Sequence, residues 1–160
     1  MKLDKRNNHG FTVIELLVVI VIVCILAVFV MLAYSGVRAK NHNAKRQSNI
    51  DSLKSQLENY YAETNVYPTL ANLNDTQWRT QHLPHAAAGA LQDPRWTKTV
   101  KACTVQGRPV ATAMPAANCY SYQVTGSDGS ACDNAAVACA HYTLTASLEG
   151  GGKYVKSSLN

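Results

Sequence analysis

The sequence predicts an α+β fold, in which one long amino-terminal helix packs on a small antiparallel β-meander. Three observations lead to this prediction. Eighteen consecutive apolar residues run from Leu16 to Ala33. Apolar residues then recur at helical spacing, and the carboxyl-terminal part alternates between apolar and polar residues with a period of two. The chain of 160 residues leaves room for one small domain beyond the apolar segment.

The apolar segment is long enough to cross a membrane, and a single carboxylate, Glu15, lies at its start. At about 1.5 Å per residue, the segment covers most of a hydrocarbon core of about 30 Å. An ionised acid in mid-bilayer costs about 2.5 to 3.5 kcal/mol, so such a group usually has a partner. Cleavage of the basic leader after Gly10 would create an amine at Phe11, about one helical turn from Glu15. The alternative is that Glu15 reaches the headgroups and has no partner.

This arrangement of leader, glycine, phenylalanine and glutamate resembles the class III signal of type IV prepilins and pseudopilins. The resemblance implies that a prepilin peptidase cleaves after Gly10 and N-methylates Phe11, and that filament assembly needs Glu15 and Phe11. It also implies a cleaved leader at 1–10, a transmembrane and filament-core helix at 11–34, and an extracytoplasmic, pilin-like globular domain at 35–160. That domain includes the outer half of the helix. An ordinary secretory signal would instead be cleaved after its apolar region.

Beyond the apolar segment, the spacing predicts that the helix continues as an amphipathic helix. Its apolar stripe consists of Ile50, Leu53, Leu57 and Tyr60. Pro68 cannot extend a helix, so the sequence predicts that the helix ends near Thr64.

After Pro68 the sequence predicts turns and at most one short helix, followed by the meander. Period-two alternation marks three strands. The first contains Tyr120, Tyr122 and Val124, the second runs from Tyr142 to Leu148, and the third lies near Tyr154 and Val155, after a turn at 149–152.

Four cysteines lie in the last 60 residues, namely Cys103, Cys119, Cys132 and Cys139. An even number of cysteines in a small domain is typical of an oxidising compartment, which places this domain outside the membrane. Three pairings are open, and the short loops favour Cys103 with Cys119 and Cys132 with Cys139. Four free thiols or a zinc site are the alternatives, although the spacing lacks the C-x-x-C pairs of structural zinc. Cys24, inside the apolar segment, is interpreted as a packing residue.

Neither an enzyme nor a cofactor is predicted, because the chain contains no catalytic or nucleotide-binding fingerprint. Two groups of residues are candidate metal ligands. His82 and His85 lie three residues apart, and the oxygens of Asp128, Asp133 and Asn134 could bind calcium, as a carboxyl-terminal loop does in some pseudopilins. Solvated histidines and a disulfide-closed turn are the commoner explanations, so no metal site is predicted.

The formal net charge of +5 falls to about +3 once the leader is removed, which is too small to indicate a dedicated nucleic-acid-binding protein. The candidate DNA contact is weakly supported and consists of Arg95, Lys98 and Lys101 beside Trp96, where a solvated loop is the commoner outcome.

Three functions follow from the resemblance and stay open. The leading one is a structural subunit, expected to be the major pilin, of a type IV pilus that serves surface attachment, twitching motility or DNA uptake. The alternatives are the major pseudopilin of a type II secretion system and, third, a single-pass anchored binding module. The implied partners are the chain itself as a helical homopolymer, the prepilin peptidase, the inner-membrane assembly platform with its motor ATPase, and minor pilins. The precursor is expected in the cytoplasmic membrane, and the filament on the cell surface.

Overall fold

The computed structural model describes residues 12–84, 86 and 89–159. The chain divides into two units, the first ending at Arg38 and the second comprising Ala39–Asn160.

Helix α1 comprises Val13–Thr64 and contains the apolar segment. An 18-residue window of this helix has a mean hydropathy of 3.6 and is not buried by the rest of the chain, so the helix is long and apolar enough to cross a membrane. The helix ends where the sequence predicts. Asn65 follows it with a φ of 59°, and its amide donates to the Tyr61 carbonyl at 2.7 Å. A left-handed residue just after the last turn is a common helix terminator, and asparagine tolerates this conformation.

Two short helices follow Pro68, where the sequence predicts at most one. Helix α2 comprises Leu70–Asn74, and helix α3 comprises Thr76–His82. Each begins with a side-chain cap. The Thr69 hydroxyl accepts from the Asn72 amide at 3.2 Å, and the Asp75 carboxylate accepts from two amides of the first turn of α3. These caps satisfy amides that a helix leaves unpaired, which stabilises helices too short to form by propensity alone.

Two antiparallel sheets complete the described part of the second unit. Strands β1, Thr104–Val105, and β2, Arg108–Pro109, form a small hairpin that follows a 3₁₀ turn at Lys101–Cys103. Strands β3, Tyr120–Thr125, β4, His141–Ser147, and β5, Lys153–Ser157, form a three-stranded sheet in the order β3-β4-β5. The predicted meander is therefore confirmed, whereas the β1–β2 hairpin was not predicted.

The core lies between the sheet and the outer part of α1. Ile50, Leu53 and Leu57 on α1 are fully buried. The register pairs Tyr122 with Leu144, and both are buried in the same cluster. The α+β fold that the sequence predicts is thus observed, with a helix stripe packed against one face of a meander.

Two disulfides close loops at the carboxyl-terminal side. Cys103 is bonded to Cys119, and Cys132 to Cys139, the two local pairs that the loop lengths favour. Cys24 is a free thiol, exposed on α1.

Candidate assembly site at the start of the helix

The carboxylate of Glu15 is bound by Thr12 at the first turn of α1. Its Oε2 accepts from the Thr12 amide at 2.9 Å and from the Thr12 hydroxyl at 2.8 Å. The same hydroxyl accepts from the Glu15 amide at 3.3 Å. This reciprocal arrangement is a capping box. The side chain of the residue just before the helix accepts from the amide three positions later, and the side chain at that later position accepts from the amide of the first residue.

The capping box gives Glu15 a partner that the sequence analysis missed. The signal was present, because Thr12 and Glu15 have the T-x-x-E spacing of this motif. Both hydrogen bonds reach Oε2, so Oε1 has no hydrogen bond within the part of the chain that the structure describes. A carboxylate can accept at both oxygens. Gly10 and Phe11, the predicted cleavage and methylation residues, lie outside the described residues.

The helix surface that follows Glu15 is apolar on every side. Each valine, leucine and isoleucine from Val13 to Ile25 is about half exposed or more, ranging from 48% for Val21 to 80% for Val13. Because exposure of apolar surface to water is unfavourable by roughly 25 cal/mol per Å², this surface requires lipid or other protein around it. The start of α1 therefore combines an apolar rod with one carboxylate oxygen that is available to a neighbour.

A buried polar cluster lies within the second unit, on the part of α1 that belongs to it. Arg46, 2% exposed, donates from Nε and Nη2 to the two carboxylate oxygens of Asp93 at 2.6 and 2.9 Å. Its Nη1 donates to Glu149 at 3.3 Å, and His42 lies 2.6 Å from the same oxygen. Hydrogen bonding by Asp93 raises the pKa of Arg46, so the guanidinium stays charged although it is buried.

Glu149 is the shared acceptor in this cluster. Burial alone would raise the pKa of Glu149, but the hydrogen bond with His42 and the charge of Arg95 outweigh burial and lower the pKa. The Asn43 side chain donates to the Glu149 carbonyl at 3.0 Å and accepts from the Glu149 amide at 2.8 Å. The cluster therefore ties the loop at 92–95 and the turn before β5 to one face of α1.

One side-chain oxygen of each of the three candidate calcium ligands, Asp128, Asp133 and Asn134, accepts a hydrogen bond from a nearby backbone amide. The Asp133 carboxylate accepts from the amides of Ala135, Ala136 and Val137 at 2.8 to 3.1 Å. These bonds lower the pKa of Asp133. Asn134 donates to the Tyr67 carbonyl at 2.7 Å and accepts from the Cys139 amide at 2.7 Å. Their role in this structure is to shape a turn closed by a disulfide.

Of the histidine pair and the basic loop, the structure describes His82 and the surroundings of Trp96. His82 stacks on Trp78 at 4.5 Å between ring centroids, and His85 lies outside the described residues. Across the part of the chain with assigned structure, no three potential ligands converge as a metal site would require. Trp96 donates to Thr104 at 3.0 Å and packs on a second cluster formed by Cys103, Val110 and Cys119, so its ring supports the hairpin.

Comparison with known proteins places the amino-terminal segment in a defined group. The family described as the prokaryotic N-terminal methylation motif matches residues 5–31. The type II secretion system core protein G of Aeromonas hydrophila is 40% identical over 67 residues, which are 42% of this chain and 47% of that protein. The proteins of the same name from Dickeya chrysanthemi and Vibrio cholerae are 40% identical over 65 residues and 39% identical over 64 residues. These matches cover 41% and 40% of this chain, and 42% and 44% of the two proteins.

The chain thus spans less than half the length of the curated relatives it matches. No solved structure matches it. The matched motif overlaps the start of the long apolar helix. The amino-terminal part of the chain therefore carries the prokaryotic N-terminal methylation motif, and these findings support the resemblance to type IV prepilins and pseudopilins.

Proposed function

We propose that this chain is the major pseudopilin of a type II secretion system. It would polymerise through its apolar helix into a periplasmic filament that acts on exported proteins. The observation that carries the proposal is the similarity to several proteins named type II secretion system core protein G. The exposed apolar surface of α1 supports the polymeric part of the proposal, because such a surface needs neighbours once it leaves the lipid. The role is structural and non-enzymatic.

In this proposal the precursor is processed before it assembles. The prepilin peptidase removes the leader, 1–10, and methylates Phe11, after which the segment 11–34 anchors the subunit in the membrane and then forms the filament core. The domain at 35–160 stays outside the cytoplasm. An inner-membrane assembly platform, driven by its motor ATPase, would draw subunits from the membrane.

Glu15 would select the correct register between neighbouring subunits. Its Oε2 is held by Thr12, and its Oε1 is left to accept from the terminal amine of a neighbour's Phe11. In a bundle of low dielectric constant a subunit docked out of register would leave both charges unpaired, which is costly. The pair would therefore contribute to specificity more than to net stability.

Complementation in a deletion strain tests this function directly. Loss of the chain should trap exported hydrolases in the periplasm, and the wild-type chain should restore their secretion. A strain that secretes normally but loses surface filaments, attachment or motility would contradict the proposal and favour the type IV pilus. If the intact chain, still beginning at Met1, worked as a dispersed monomer, both filament functions would fail and an anchored binding module would be favoured.

Two variants of Glu15 separate its two roles. Glu15→Gln keeps an oxygen that can accept from Thr12 but removes the charge, whereas Glu15→Ala removes both. We expect both variants to insert and to be processed, as shown by the mass of the amino-terminal peptide, yet to yield no sedimentable polymer. Normal polymer from Glu15→Gln would show that the capping bond suffices and would refute pairing with a neighbour's amine.

A further inference from the structure

A cup-shaped cavity lies beside the end of α1 in the second unit, and neither the proposed filament core nor the buried polar cluster uses it. It encloses about 410 Å³. The lining residues come from the last turns of α1 and from the end of α3, and they are Gln56, Asn59, Tyr60, Ala62, Glu63, His82 and Pro84.

The aromatic wall of this cup is fixed by ring contacts. Tyr60 meets Trp78 edge to face, with 5.2 Å between centroids, and His82 at 6.1 Å. His82 stacks on Trp78 and lies 3.0 Å from its carbonyl oxygen through Nδ1. Aromatic groups held in this way present a preformed surface, so a ligand need not order them on binding.

The polar groups of the cup are two carboxamides and one carboxylate. The side chains of Gln56, Asn59 and Glu63 have no hydrogen bond or ion pair with any residue that the structure describes, and Glu63 gives the lining a negative charge. A carboxylate beside aromatic rings suits a guanidinium, which forms paired hydrogen bonds to carboxylates and stacks on ring faces. An apolar ligand would leave these acceptors unpaired.

One arginine of this chain is suited to such a cup. Arg46 is buried against Asp93, Arg79 donates to the Leu73 carbonyl, Arg95 faces Glu149, and Arg38 also has a partner. Arg108 is exposed, and its side chain has no hydrogen bond or ion pair to the residues described. It directly follows Gln106 and Gly107, whose φ values of 50° and 72° form the tight turn of the β1–β2 hairpin.

We propose that Arg108 of one copy inserts into the Tyr60, Glu63 and His82 cup of the next copy. The inference rests on the proposed polymer and adds a contact between its outer domains. Arg108 and the cup lie on different surfaces of the same chain, so the contact is heterologous and repeats along an open assembly. It would contribute to the order in which subunits stack, in addition to the packing of the apolar helices.

A covalent test identifies the two partners. Carbodiimide joins carboxylates to amines but not to guanidinium groups, so Arg108→Lys keeps the charge and makes the contact capturable. Polymer assembled from a mixture of isotopically heavy and light copies should yield, by mass spectrometry, a peptide that links position 108 of one copy to Glu63 of another. Cross-links from the native Lys98 and Lys101 measure the non-specific background. Glu63→Gln is the negative control, because it should abolish the cross-link to position 108. Absence of the mixed peptide from well-formed polymer would overturn the proposal.

Charge reversal tests the energetic side. Arg108→Glu and Glu63→Arg should each lower polymer yield by up to about fivefold. Together they should restore most of it, and Lys98→Glu should leave it unchanged. Tryptophan fluorescence would check that each variant is folded. Single variants that assemble normally, or a double variant that is not rescued, would overturn the proposal, the latter indicating that the cup binds another ligand such as a sugar. If even the wild-type chain never polymerises, the proposed function itself fails.

Discussion

Replacement of Asp93 by asparagine should destabilise the outer domain severely, although it changes little in size. The side chains of Asp93 and Arg46 are 1% and 2% exposed, and their two hydrogen bonds are 2.6 and 2.9 Å long. Asp93→Asn keeps the shape but removes the nearer of the two carboxylates, so that the buried guanidinium keeps only the longer carboxylate contact, to Glu149 at 3.3 Å. Breaking a buried pair in this way costs about 3 to 5 kcal/mol, much of it the penalty of the uncompensated charge. A domain of this size is stable by only about 5 to 15 kcal/mol.

Urea unfolding of the full chain in detergent measures this effect. Trp78 and Trp96 both lie in the second unit, so their fluorescence reports on that unit rather than on the membrane segment. Asp51→Asn is the matched control, because Asp51 is half exposed and pairs with Lys156 on the surface at 3.4 Å. An exposed pair of this kind contributes about 0 to 1 kcal/mol.

The difference in unfolding free energy between the two variants tests whether the buried pair contributes more stability than an exposed one. If Asp93→Asn lost no more than about 1 kcal/mol beyond Asp51→Asn, the buried pair would not carry the energy assigned to it. The double variant Arg46→Met with Asp93→Leu provides a second check. Because apolar side chains replace both charges, it should be more stable than Asp93→Asn alone. A double variant that is less stable than the single one would refute the argument from uncompensated charge.

Two further predictions concern the loop that Cys132 and Cys139 close. Gly126→Ala should destabilise the domain by about 1 to 3 kcal/mol, because the new Cβ would lie 2.8 Å from a methyl of Val137. Gly89→Ala, whose nearest neighbour would be at 3.7 Å, is the control in the same urea experiment. The second prediction concerns acid. The pKa of Asp133 is lowered from its ordinary value of 3.8, so its contribution is present above that value and is lost as the pH falls through the lower, folded value. Asp133→Asn should therefore make the unfolding free energy less pH-dependent below about pH 4, and an unchanged slope would contradict the assignment.

The parts of the fold that the sequence predicts are those set by local periodicity. The end of α1 near Thr64 follows from Pro68, and the three strands follow from alternation between tyrosine, leucine or valine and polar residues. The two short helices after Pro68 have no such period, because five and seven residues are too few to show one. They depend on caps at Thr69 and Asp75, which a search for periodicity does not detect.

The candidate site divides in the same way. Glu15 is conspicuous because a carboxylate beside an apolar segment is costly, and that cost is visible in composition alone. Thr12 is not conspicuous, because a threonine at the start of a helix costs nothing and its role appears only through the T-x-x-E spacing. The contact proposed between Arg108 and Glu63 requires the ring contacts of Tyr60 and His82 and the partners of the other arginines that the structure describes, which no sequence pattern provides.

Arg46 shows most clearly why the buried cluster escapes prediction. It precedes Ile50, Leu53 and Leu57 at spacings of four, three and four, so it occupies the same stripe of α1 as the core. Sequence reasoning assigns a cation just beyond an apolar segment to the surface, and only the loop that brings Asp93, 47 residues further on, reverses this assignment. A leucine at this position would tolerate sliding of the domain along the helix by one turn. A buried guanidinium does not, since every shifted register would leave it unpaired, and the charge therefore fixes where the loop at 92–95 and the turn before β5 dock on α1.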